Sequence, residues 1–177
     1  MRPLRSRART WLILGVVLLL AAARPWADPA DAEAVVAKFK EKDPDLAEVF
    51  ASAKGYAVFP TVGKGAIGIG GARGKGYVYE DGKLVGRSTL TQVSIGFQLG
   101  GQAYSEVVFL KDAAALKSFK SGKLKLDAQA SAIALTARAA ADLAWRDGVA
   151  IVTMAKGGLM YEASVGGQKF SFSPLED

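Results

Sequence analysis

With 177 residues, half of them apolar, the chain is long enough for one domain with a full hydrophobic core. Its formal charge of +6 overstates its basicity. Arg2, Arg5, Arg7, Arg9 and Arg24 fall within the first 27 residues, where there is no acid, and the remainder holds 18 basic against 17 acidic residues. Binding nucleic acid by bulk charge is therefore not expected. The lack of any cysteine or histidine excludes disulfides, Cys-ligated zinc, thiol nucleophiles, a Ser–His–Asp triad and a lipoprotein anchor.

The first 27 residues read as a signal peptide. An Arg-rich start precedes an apolar run from Trp11 to Ala23 and a stretch of small residues, with cleavage expected after Ala23 or Ala27. Thirteen apolar residues span roughly 20 Å as a helix, short of a bilayer core. An exported protein is expected, periplasmic or secreted, with membrane association as a further option.

Residues 28–54 read as a helical pair. Val35, Val36 and Phe39 cluster at helical spacing, and Asp43-Pro44 offers an N-cap with proline at the first helical position. Leu46, Val49, Phe50 and Ala53 follow on one face, and Gly55 is placed as the stop. Lys38, Lys40 and Lys42 sit among Glu33, Glu41, Asp43, Asp45 and Glu48, as on a solvated face, and also offer a membrane contact.

From Lys54 to Tyr79 glycines alternate with β-branched and aromatic residues, a composition for closely apposed strands rather than for a helix or linker. Tyr77–Tyr79 and Leu84-Val85 flank Glu80-Asp81-Gly82-Lys83, a hairpin around an Asp-Gly turn. Val93, Ile95, Phe97 and Leu99 alternate with polar residues and glycine, which predicts a strand with these four on its buried face. Val107–Leu110 closes another strand. A short helix from Asp112 to Phe119 is capped by Asp112 and stopped by Gly122.

In residues 123–146 local propensity favours an alanine-rich helix, while the alternation of Leu124, Leu126, Ala128 and Ala130 favours a strand for the first half. The second half stays open. Strands follow at Val149–Met154, Leu159–Val165 and Lys169–Phe172, with a Lys156-Gly157-Gly158 turn between the first two. Leu99-Gly100-Gly101-Gln102 echoes Val165-Gly166-Gly167-Gln168, which suggests one tight turn used twice.

Few motifs carry chemistry. Gly63-Lys-Gly65-Ala-Ile-Gly68 fits a dinucleotide fingerprint by letter, but Ile69-Gly70-Gly71 cannot open the helix such a site needs, and Gly74-Lys75-Gly76 fails as a phosphate loop. Neither nucleotide, cofactor nor metal is expected. Glu106 and Glu162 fall in predicted strands with outward-facing roles, and Glu80-Asp81 is ordinary turn composition. Lys64, Arg73, Lys75, Lys83, Lys156 and Lys169 are flanked by or close to glycine, where ammonium groups and backbone N–H groups can meet an anion together. Leu159-Met160-Tyr161 offers an apolar edge.

Tyr56-Ala-Val-Phe-Pro60, Val62-Gly-Lys-Gly65, Gly70-Gly71, Gly74-Lys-Gly76, Ser94-Ile-Gly-Phe-Gln-Leu-Gly-Gly-Gln102, Val108-Phe109 and Lys156-Gly-Gly-Leu159 together resemble the SYLF domain, in order, over residues 33–172. The resemblance implies α+β architecture: a glycine-rich, mainly antiparallel β domain with N-terminal helices and one short internal helix, filling residues 28–177. It implies a non-enzymatic domain that binds anionic phospholipid or a membrane surface; actin association, known in eukaryotic members, is not carried over to an exported chain. Lys64, Arg73, Lys75 and Lys156 are the candidate headgroup ligands, with Lys38, Lys40, Lys42, Leu159 and Met160 as further membrane contacts. The alternative is a structural or interaction protein of the cell envelope that binds a protein partner. Thr136–Ala141, alanine-rich where bacterial members tend to carry a glycine, departs from the pattern.

Overall fold

The computed structural model describes residues 26, 28–67, 69–95, 100–124, 126, 132–156 and 167–175. Among the described residues, three helices, α1 (Pro29–Lys42), α2 (Leu46–Ser52) and α3 (Ala113–Lys120), accompany seven strands. These are β1 (Gly55–Ile67), β2 (Ile69–Glu80), β3 (Lys83–Ile95), β4 (Gly100–Leu110), β5 (Ile133–Ala134), β6 (Val149–Ala155) and β7 (Gln168–Pro174). They form one sheet in the order β5-β6-β4-β1-β2-β3-β7. β5 runs parallel to β6, and the remaining pairings are antiparallel. The architecture is α+β, as expected.

The sheet coils. Three strands separate β4 from β7, so a flat sheet would hold them about 19 Å apart. Yet Gln168 on β7 donates its amide to Glu106 on β4 at 3.0 Å, and Phe170 lies 5.8 Å from Phe59 on β1. Inside the coil α3 supplies Leu116 and Phe119, which pack with Val62, Leu90, Val108 and Phe170 into one core. On the outer face, α1 and α2 place Val35, Phe39, Leu46 and Phe50 against Tyr56, Val58, Tyr79 and Phe109 in a second.

Asp43 joins the helical layer to the rest. It is buried; one carboxylate oxygen accepts from the Asp45 N–H at 3.1 Å and the other from the Ala140 N–H at 2.7 Å. The expected N-cap at Asp43 with Pro44 at the first helical position is corrected: α2 begins at Leu46 with Asp45 as its N-cap, Pro44 lies in the turn between the helices, and Asp43 is the C-cap of α1, with a contact across 97 positions of sequence. The hairpin holds: Asp81 and Gly82 take φ of 49° and 76°, the left-handed pair of a two-residue turn. Asp112 caps α3 through the Ala115 N–H at 2.9 Å, and Gly122 ends it at φ 66°.

Other expectations are corrected. Gly55 does not stop a helix but begins β1, where an added Cβ would lie 2.8 Å from the Tyr79 carbonyl oxygen. Val93 is 72% exposed, because the inward residues of β3 are the even-numbered Ser88, Leu90 and Gln92. Ile95 ends β3, and residues 96–99 lie outside the described residues. Glu106 faces inward and is completely buried, since β4 turns Tyr104, Glu106, Val108 and Leu110 into the coil. Leu124 and Leu126 belong to no strand, although Leu126 exchanges backbone bonds with Gly167 and Gln168; Ala128 and Ala130 lie outside the described residues. The alanine-rich second half forms turns over residues 137–142. The repeated Gly-Gly has two uses: Gly100 and Gly101 pair with Ala66 and Gly65 inside the sheet, whereas Gly167 is a turn residue at φ 78°. The strand expected at Leu159–Val165 and the Gly157-Gly158 turn also lie outside the described residues.

Candidate functional site: the uncovered end of the outer face

A bulge at Pro60 divides the outer face in two. β1 uses two residues between Val58 and Thr61 where β2 uses one, so the outward residues switch from even to odd numbers. Proline has no N–H for the ladder, and its carbonyl oxygen accepts from the buried Ser105 hydroxyl at 2.8 Å. Before the bulge β1 turns Tyr56 and Val58 outward under the helices. Beyond it Thr61 and Gly63 face solvent.

Strand pairing then lays out this end as rows. Thr61, Lys75, Thr89 and Ser171 share one row; Gly63, Arg73, Thr91 and Lys169 share the next. Gly71 and Val93 are paired in the row beyond, and Tyr77, Arg87 and Ser173 in the row towards the helices. Because paired residues point the same way, Arg73, Lys75, Arg87 and Lys169 project from one face among hydroxyls. Lys156 joins them by donating to the Thr61 hydroxyl at 2.8 Å. An added Cβ on Gly63 would meet nothing within 4 Å, so this glycine keeps the floor flat rather than admitting a neighbour. Arg73, Arg87, Val93, Lys156 and Lys169 are exposed, and Lys75 is half-buried.

Trp26, also half-buried, lies at the row nearest the helices. Its ring is 6.4 Å from that of Tyr77, with the Lys75 ammonium 5.2 Å and the Arg87 guanidinium 5.6 Å from its centre. The acids of the β2–β3 turn are engaged elsewhere: Asp81 with Lys54 at 2.6 Å, and Glu80 with Lys120. Among the described residues this end of the sheet thus gathers cations, while the acids of the β2–β3 turn are held at the far end of the hairpin.

Of the four candidate headgroup ligands, three converge: Arg73, Lys75 and Lys156. Lys64 pairs with Ala72, a residue of the inner core, and belongs to the opposite face. Lys38, Lys40 and Lys42 are exposed at the end of α1 farther from Trp26, with Lys40 over the Phe50 ring. Lys83 is exposed beside the hairpin turn. Leu159, Met160 and Tyr161 lie outside the described residues. Sequence reasoning missed Arg87 and Trp26. The parity of the strand from Arg87 to Val93 carried the signal for the first; the second was read as part of the leader.

The inner face holds one ionisable group apart from this surface. Burial pushes the Glu106 carboxyl up to about 8, opposed by the Gln168 amide, and its second oxygen has no hydrogen-bond partner among the described residues. Burial, together with the Glu106 charge, also raises the Tyr104 hydroxyl. Glu162, expected to face outward, lies outside the described residues. No group of three potential metal-ligating side chains occurs among the described residues.

No curated protein matches the chain. Residues 91–174 match the family model Ysc84, described as Las17-binding protein actin regulator. The match runs from the middle of β3 to the end of β7, and therefore takes in Val93, Lys156, Lys169 and the Glu106–Gln168 pair. The resemblance to the SYLF domain is thus matched by the Ysc84 (SYLF) family model over residues 91–174.

Proposed function

We propose that this is a non-enzymatic domain that binds a membrane surface through anionic headgroups, using the uncovered end of its outer face in an exported, periplasmic or secreted setting. One observation carries the reading: Arg73, Lys75, Arg87, Lys156 and Lys169 project from one flat, hydroxyl-lined face with no opposing layer among the described residues. Each cation at an anionic surface contributes about 1 kcal/mol, so the affinity is modest and falls with salt. Catalysis by carboxylates has little to draw on, since Glu106 is sealed in the inner core and Asp81 is paired to Lys54.

Co-sedimentation of the full chain with phosphatidylcholine vesicles, with and without phosphatidylglycerol, tests this. Arg73→Glu combined with Lys156→Glu is expected to abolish the preference for phosphatidylglycerol, while Lys64→Glu on the opposite face leaves most of it. Equal loss from both variants would overturn the assignment to this face.

A second reading rests on the description of the matched family, which is that of a protein-binding regulator. Here the partner is a protein of the cell envelope, and the basic face or the edge of β7 receives it. A captured partner that survives high salt, without vesicle binding, would favour it.

A further inference from the structure

We propose that Trp26 is a working residue of the basic face, and that it fits this face to the interfacial layer of a bilayer rather than to a soluble anion. The proposal rests on the membrane-surface reading above and goes further by naming the residue that sets the ligand class.

Three observations support it. First, the indole gathers Lys75 from β2 and Arg87 from β3 against one ring, at 5.2 and 5.6 Å. The ring thus holds one cation from each of two neighbouring strands in place at this end of the face. Second, the basic rows are bounded by apolar groups at both ends: Trp26 at one, and at the other Val93, the only large hydrophobic residue that is exposed among those described. A site for free phosphate has no use for an exposed valine, whereas the boundary between headgroups and acyl chains accommodates indole, aliphatic and cationic groups together. Third, in a chain that keeps its leader the apolar run ends at Ala23, three residues before Trp26. Three residues reach at most about 11 Å, so any membrane that holds that run lies within reach of this face.

The assignment also bears on maturation. A chain cleaved after Ala23 keeps Trp26, and one cleaved after Ala27 loses it. The proposal requires the first, or an uncleaved chain.

The test uses the full chain carrying Trp11→Phe and Trp145→Phe, which leaves Trp26 as the only tryptophan, expressed with its leader in a secreting bacterial host. Intact mass identifies the first residue. Emission is then followed on adding vesicles of phosphatidylcholine with phosphatidylglycerol, including vesicles brominated in the acyl chains, and separately on adding inorganic phosphate. The expected result is a chain that retains Trp26, a blue shift reversed by salt, quenching by the brominated lipid, and no response to inorganic phosphate. Trp26→Ala is expected to weaken vesicle binding about fivefold, with Trp26→Phe restoring most of it.

A protein that begins at Asp28 would overturn the proposal. So would unaltered binding by Trp26→Ala while Arg73→Glu abolishes binding; in that case the membrane-surface reading survives alone. An equal response to inorganic phosphate would replace the bilayer by a soluble anion. Absence of vesicle binding by every form would remove both the proposal and the reading beneath it.

Discussion

Glu106 shows how strongly a single position can set the pH response of this fold. Its carboxyl is completely buried and its proton is held up to a pH of about 8, against an ordinary value of 4.5. Below pH 4.5 the group is protonated in both folded and unfolded chains and adds no pH dependence. Between 4.5 and 8 the unfolded chain releases the proton while the folded chain keeps it, so stability falls by about 1.4 kcal/mol per pH unit. Above 8 the loss is complete. Urea unfolding at pH 5 and pH 8.5 is expected to give the lower midpoint at pH 8.5, and Glu106→Gln to flatten the difference by keeping the Gln168 contact without a charge. The glycines make a second contrast at this scale. An added Cβ at Gly76 would stand 2.3 Å from the Val58 carbonyl oxygen and 2.6 Å from the Phe59 ring, whereas at Gly63 it meets nothing. Gly76→Ala is expected to destabilise by about 2 kcal/mol or more through forced backbone shifts. Gly63→Ala should be neutral or stabilising by up to about 1 kcal/mol, because a strand glycine surrenders more entropy than alanine. Thermal midpoints of the two variants, read side by side, check the pair.

Between elements, Asp43 carries more than a cap. It satisfies the Asp45 N–H at the start of α2 and the Ala140 N–H in the 137–142 turns, tying the helical layer to the segment that follows β5. Asp43→Ala leaves two N–H groups without their acceptor and is expected to cost about 2–4 kcal/mol, measured by denaturant unfolding. Asp43→Asn, which keeps one acceptor oxygen, should recover part of it. The sequence marked Asp43 as a junction residue but put the start of α2 two residues early, and it concealed the second partner, because Ala140 stands 97 positions away. The same division runs through the other elements. The Asp81-Gly82 hairpin and the Asp112–Gly122 helix were legible because turn and cap chemistry is local. The outward direction of Val93 and the inward direction of Glu106 were not, since both depend on which face of β3 and β4 the coil encloses. For the candidate site, glycine-flanked cations drew attention to Arg73, Lys75 and Lys156. The switch of parity at Pro60 and the docking of Trp26 decide which cations share a face, and both appear only once the strands are paired.

The whole molecule works as a coiled sheet with an interior and an exterior that answer to different conditions. Phe170 is the closing contact of the interior: from β7, the edge strand, it meets Phe59 on β1 at 5.8 Å and Phe119 on α3 at 5.1 Å. Phe59 is the strand partner of Glu106, and Gln168 precedes Phe170 by two residues on the same strand. The aromatic closure and the buried carboxyl therefore occupy one neighbourhood. Phe170→Ala is expected to cost about 3–5 kcal/mol at pH 5 from lost contacts and the cavity left behind. It should also admit water towards Glu106, lower the penalty for ionising it, and reduce the fall in stability between pH 5 and pH 8.5. A double-mutant cycle of Phe170→Ala and Glu106→Gln reads this directly. At pH 8.5 the two substitutions should couple, since each relieves the same buried charge, and at pH 5, where the carboxyl is protonated, the coupling should shrink. Additivity at both pH values would show that β7 closes the coil without controlling the environment of Glu106.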